Sequence, residues 1–106
     1  MRATFAVVYR WRVAADRHEK SRVAWDELAE AIRRERGGLG SRLHRNPAGE
    51  FVAYAQWPDR ETWQRAQALP SPLPEVSERM RGLIVERFAP LELEVDDDRL
   101  SLVIDA

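Results

Sequence analysis

A chain of 106 residues is the length of one domain around a single core, and its lack of cysteine excludes disulfide frameworks, thiolate metal sites and thiol catalysis. With 44% hydrophobic and 33% charged residues and a formal net charge of -1, it has globular composition without the basic excess of a nucleic-acid surface. No apolar run approaches the roughly 20 residues that cross a bilayer. Arg10 and Arg12 interrupt the apolar N-terminal stretch, which lacks the long apolar core and cleavage site of a secretory signal, so a cytoplasmic protein is expected. Sixteen of the seventeen basic residues are Arg. Residues 1–45 hold eleven basic and six acidic groups, net +5, and residues 46–106 hold six basic and twelve acidic groups, net -6. The two halves can pair within one monomer or between two.

Residues 4–14 read as a strand, rich in Phe, Val, Tyr and Trp and free of turn residues. Asp16 offers an N-cap, and Glu19 three residues later completes a capping box. The helix that follows carries Ala24, Trp25, Leu28, Ala31 and Ile32 on one stripe, the 3.6-residue period of an amphipathic helix, and stops at Gly37-Gly38. Residues 39–45 alternate, with Leu39, Ser41 and Leu43 on one side and Arg42 and His44 on the other. Asn46-Pro47-Ala48-Gly49 is a turn into a second alternating strand, 50–57, making an antiparallel hairpin. Asp59 caps a helix over roughly 60–68, with Trp63 and Ala66 inward. The Pro70–Pro74 segment breaks that helix and starts another, with Val76, Met80, Leu83, Ile84 and Phe88 as its stripe and Gly82 as a weak point. Residues 90–95 alternate as a strand, Asp96–Asp98 turn, and 99–104 form a fifth short strand or an extended tail.

This order is the split βαβ pattern of a ferredoxin-like α+β domain over residues 1–95, followed by a tail at 96–106. Its helices cover one face of a four-stranded antiparallel sheet. Phe5, Val7, Tyr9, Trp11 and Val13 share one phase of the first strand, and Ala6 and Val8 the other. In the hairpin, Phe51, Ala53, Ala55 and Trp57 oppose Val52, Tyr54 and Gln56. Both phases are largely apolar, whereas a sheet with one wet face alternates cleanly. The second face therefore calls for a second copy of the chain, making a homodimer through the sheet.

The opening strand FAVVYRWRV, the glycine-ended helix leading to GGLGSRLHRNPAGEFVAYAQWPDRETWQRA, and above all the strand end Gln56-Trp57 before Asp59, Glu61 and Trp63 carry a family resemblance. The chain resembles the antibiotic biosynthesis monooxygenase family over about residues 3–95. That resemblance implies a dimeric α/β barrel and, among known activities, cofactor-free oxidation of a small phenolic, quinol or anthrone-like substrate. It equally admits a non-catalytic small-molecule binder or a structural dimer. The haem-degrading branch uses an Asn on the first strand, and the only Asn here is Asn46, in the turn.

The candidate site residues follow from the phases. Trp25 and Trp63 lie on inward helix stripes opposite the small residues Ser41, Ala53 and Ala55; with Tyr9 and Trp57 they either fill a core or wall a pocket for a flat aromatic ligand. His44 is a candidate base near neutral pH, Tyr54 a candidate hydrogen-bond donor, and Arg42 a candidate holder of a phenolate or carboxylate. Against these stand a structural hydrogen bond for His44, packing for Tyr54 and an ion pair across the dimer for Arg42. All three belong to the phase away from the helices, so they reach a ligand only if the pocket lies inside the barrel. No dinucleotide fingerprint, phosphate loop, HExxH motif or zinc cluster occurs, and the acidic run Glu92–Asp98 lacks recognisable cation-ligand spacing. Neither a metal nor a cofactor is expected.

Overall fold

The structure is a computed structural model and describes residues 2–100. Six β-branched or aromatic residues among nine make the first strand, β1 (Phe5–Val13), which runs through a single 3-10 turn at Ala15–Arg17 into helix α1 (His18–Arg36). The expected capping box is not made. Asp16 lies within the 3-10 turn, the helix cap at Arg17 has no side-chain bond, and Glu19 instead pairs with Arg22 one turn on. The helix ends at Gly37 with φ 86°, where a side chain would also meet the Thr62 methyl at 3.0 Å, so glycine is needed both for the turn and for the close approach.

The hairpin forms as read, from β2 (Gly40–Arg45) and β3 (Phe51–Trp57). Helix α2 (Arg60–Ala68) is capped by Asp59, whose carboxylate accepts from the Thr62 backbone N–H at 2.7 Å. Helix α3 (Pro74–Leu83) starts with Pro in its first turn, as expected, but stops five residues before the end of its apolar stripe at Phe88. Ile84–Arg87 is a strand, β4, and Leu91–Glu94 a second one, β5. Both pair with β1, β4 opposite Trp11–Val13 and β5 opposite Phe5–Val8, so two segments share the fourth place in the sheet. Strand pairing won over helical period because β1 presents an unpaired edge that β-branched Ile84 and Val85 suit.

The sheet runs β2-β3-β1-β4 with β5 also on β1, every pair antiparallel, which is the ferredoxin-like order. Beyond β5, Val95 donates its backbone N–H to Thr4 at 3.0 Å, and Asp98 meets Arg2. The expected strand at 99–104 lies, from residue 101, outside the described residues; Arg99 and Leu100 are not in a strand.

The three helices lie on one face. Under α1 and α3 are Trp11, Val13, Phe51, Ala53, Val76, Met80 and Leu83; under α2 are Phe5, Val7, Trp57 and Trp63. Each large apolar side chain buried this way contributes about 1.5–3 kcal/mol. Tyr9 touches both groups and marks the division between them. On the opposite face Leu91 and Leu93 are 60% and 41% exposed, beside half-buried Val8, Val52 and Tyr54.

Among the described residues Ser21 is a polar residue sealed inside the core. Ser21 has no exposed surface, and its hydroxyl accepts from the Trp11 indole N–H at 3.3 Å while facing the Met80 sulfur at 3.7 Å. Ser21→Ala strands that buried donor, and a loss of about 1–3 kcal/mol in urea unfolding is expected. An unchanged midpoint would show that Trp11 finds another acceptor.

Candidate functional site

Between the sheet and the helices lies a half-open cavity of about 560 Å³. Its floor is small because β2 and β3 place Ser41, Ala53 and Ala55 on this face, Ser41 paired with Ala55 and Ala53 with Tyr9. Its walls are large: Trp25, Leu28 and Ile32 from α1, Met80 from α3, and Trp57 at the end of β3. Small residues facing large ones leave a slot here and not a filled core.

Tyr9 is the polar centre of the slot. Its hydroxyl accepts from the Trp63 indole N–H at 2.9 Å, which leaves its own proton to donate. Burial is the main cause that raises its pKa above the ordinary tyrosine value; the Trp63 hydrogen bond lowers it and the Glu92 charge raises it. Tyr9 is therefore a neutral donor at physiological pH. Trp57 presents apolar surface, and its buried indole N–H has no partner among the described residues.

Tyr9, Trp25 and Trp57 thus line the cavity as expected from phase. Trp63 does not; it lies behind Tyr9, its ring tilted 44° against Phe5 with centroids 5.6 Å apart, and acts through its hydrogen bond. His44, Tyr54 and Arg42 are not at the cavity. Register places Arg42 opposite Tyr54 and His44 opposite Val52, on the face away from the helices. His44 is exposed, with Nδ1 3.3 Å from the Val52 carbonyl oxygen. The side-chain alternation of β2 and β3 forbids these three from serving a pocket on the helix side. No cluster of His, Asp and Glu suited to a metal ion occurs among the described residues, and no described helix is long and apolar enough to cross a membrane.

Other residues of the wall went unread in the sequence. Ser71 and Ser77, whose hydroxyls lie 2.5 Å apart, join it from the α2–α3 connection and α3. Arg36, Arg81 and Arg87 line its mouth. The proline-rich segment was a signal for the first pair; nothing in the sequence pointed to Arg87, because its place depends on β4.

Removing the Trp63 donor tests the electrostatics of Tyr9. Because the folded-state pKa is raised, stability is unaffected below about pH 10 and declines as pH rises from there through the pKa of Tyr9 itself. Trp63→Phe is expected to move that ionisation further up and to steepen the alkaline loss, read by ultraviolet tyrosinate titration and denaturation. An unmoved Tyr9 titration would show that the bond has no influence.

Solved structures share this architecture. A cofactor-independent oxygenase from Streptomyces nogalater, SnoaB, superposes with a TM-score of 0.74 at 20% identity, covering 94% of this chain and 100% of that one. Rv0793 from Mycobacterium tuberculosis gives 0.72 at 21% identity over 90% and 97% of the two chains. A conserved protein from Methanosarcina mazei Go1 gives 0.73 at 10% identity over 89% and 94%. These likenesses show the fold. No curated protein matches the sequence. The family model described as antibiotic biosynthesis monooxygenase matches residues 4–71, more than half of the chain, which places β1 through α2 and the floor of the cavity inside the match. The chain belongs to the antibiotic biosynthesis monooxygenase family.

Proposed function

We propose that the protein is a cofactor-independent monooxygenase that oxidises a small phenolic, quinol or anthrone-like substrate in the slot between sheet and helices. The observation that carries this reading is the slot itself: aromatic walls, a floor of alanines, a volume within the range of small-molecule sites, and one neutral donor, Tyr9, at its centre. The family and the SnoaB-like fold support it.

The chemistry asks little of the protein. A bound anthrone loses a proton from its methylene carbon, and the resulting anion passes an electron to oxygen. The radical pair joins as a carbon–oxygen bond, and loss of water from the hydroperoxide leaves a carbonyl. One oxygen atom enters the substrate; the other leaves as water with the two hydrogens of that carbon. The substrate is the only reductant. Tyr9, polarised by Trp63, donates to the substrate oxygen on which negative charge gathers, and the walls hold the ring flat and keep water away.

One observation favours a second reading. Among the described residues no His, Asp or Glu lines the cavity, so none of them stands beside the substrate as a general base. A non-catalytic binder needs none. The oxygenase reading instead relies on the acidity of the substrate, with its proton passing to solvent at the open mouth.

Oxygen uptake over a panel of hydroquinones and anthrones, with chelator present, separates the two. Turnover is expected at one oxygen per substrate. Tyr9→Phe is expected to reduce kcat/KM about tenfold or more, the worth of one hydrogen bond to developing charge. Ala55→Phe, which fills the floor, should abolish both turnover and binding, and His44→Ala should change neither. Binding without turnover across the panel would favour the binder; an absence of both would remove the slot from either role.

We further infer that the open sheet face joins a second copy of the chain, covering Val8, Val52, Tyr54, Leu91 and Leu93. Light scattering is expected to give twice the 12.3 kDa chain mass, and Tyr54→Arg to give a folded monomer. A monomeric wild type at micromolar concentration would defeat the inference.

A further inference from the structure

The charge at the cavity has one sign. Among the described residues five arginines line it, Arg10, Arg33, Arg36, Arg81 and Arg87, and no carboxylate does. Three of the five are already engaged with carboxylates that lie off the lining. Arg10 bonds Glu50 at 3.1 Å, Arg33 bonds Glu30 at 2.7 Å and Arg81 bonds Glu78 at 2.6 Å. Arg36 is spent on backbone, bonding the carbonyls of Pro70 at 3.0 Å and Glu35 at 3.4 Å, but no acidic group neutralises its charge. Arg87 differs from all four. Among the described residues its side chain makes no hydrogen bond and no ion pair, although eleven ion pairs join other side chains.

Register fixes where Arg87 stands. It pairs with Trp11 across β1 and β4, so it belongs to the helix-side face that carries Tyr9. Tyr9 is two residues back along β1 and hence its diagonal neighbour, about 7–8 Å away between Cα atoms by ordinary sheet geometry. The edge of the sheet is interrupted between Arg87 and Leu91, and Arg87 is exposed at this break. A flat ligand whose ring lies in the slot with one oxygen on Tyr9 therefore brings its far end to an unpaired guanidinium.

Resting on the reading of the slot as an aromatic-ligand site, we infer that Arg87 selects ligands bearing a carboxylate on the aromatic frame, held by the guanidinium fork while Tyr9 holds the ring oxygen. A guanidinium matches a carboxylate with two parallel hydrogen bonds, and a neutral ligand would leave the excess positive charge of Arg36 and Arg87 uncompensated. The assignment makes Arg87 a specificity residue that takes no part in the reaction.

The test uses anthraquinone-2-carboxylate and anthraquinone-2-carboxamide, with binding read from quenching of tryptophan fluorescence. The wild type is expected to bind the carboxylate about tenfold tighter than the carboxamide, the scale of a charge-assisted hydrogen bond, and added salt should shrink the difference. Arg87→Gln should abolish the preference, chiefly by weakening the carboxylate, and an unchanged circular dichroism spectrum and urea midpoint show that the variant is folded. Arg87→Lys should keep part of it. If the wild type binds both probes equally, or Arg87→Gln keeps the preference, the assignment of Arg87 is overturned and the slot reading stands. If the wild type binds neither probe, the slot reading fails and the assignment falls with it.

Discussion

The molecule depends on one strand serving three masters. β1 pairs with β3 over seven residues on one edge, with β4 and β5 in turn on the other, and gives its helix-side face to both halves of the core. Backbone groups in the middle of a sheet must be paired, and apolar side chains must be covered; only a strand without polar interruption on that face meets both demands. Phe5, Val7, Trp11 and Val13 do so by burial. Tyr9 is the exception, placed half-buried where the two halves of the core separate, with its hydroxyl at the cavity. The cavity exists because the core divides there.

The division has a chemical counterpart. Aromatic rings come to the slot from α1, β1 and β3, and the residues that could have filled it are Ala53, Ala55 and Ser41. A donor whose proton is free, held by an indole behind it, sits in surroundings poor in water, where a hydrogen bond to a developing charge is worth more than in solution. The solved structures share the scaffold; the composition of the walls and the mouth belongs to this chain.

Much of this was legible in the sequence because period-2 and period-3.6 patterns carry phase. The first strand, the hairpin and the inward stripe of α1 follow from it, and so does the opposition of Trp25 to Ser41, Ala53 and Ala55. Phase likewise set His44, Tyr54 and Arg42 on the far face. The misreadings have identifiable physical causes. Met80, Ile84 and Phe88 fall at helical spacing, so the apolar stripe of α3 ran on past the true end at Leu83, where a waiting strand edge outweighed it. Asp16 and Glu19 have capping-box spacing, but the 3-10 turn shifted the helix start and Glu19 found Arg22. Arg87 was invisible for a related reason, since a residue assigned to a helix has no cross-strand neighbour.

The split edge also bears on how the chain comes together. The first strand is complete by residue 13, but its outer edge is not covered until β4 and β5, whose last residue is Glu94. Contacts this distant in sequence form late, because loop closure must precede them. During synthesis at about 5–20 residues per second, the aromatic-rich edge of β1 waits on the order of ten seconds for its partners. Over that interval β3 can cover only the opposite edge of β1, and the nascent chain exposes both the unpaired outer edge and the slot above it. Chaperone demand and aggregation in this protein should therefore respond most to changes between Ile84 and Glu94, a segment that contributes little to the buried core.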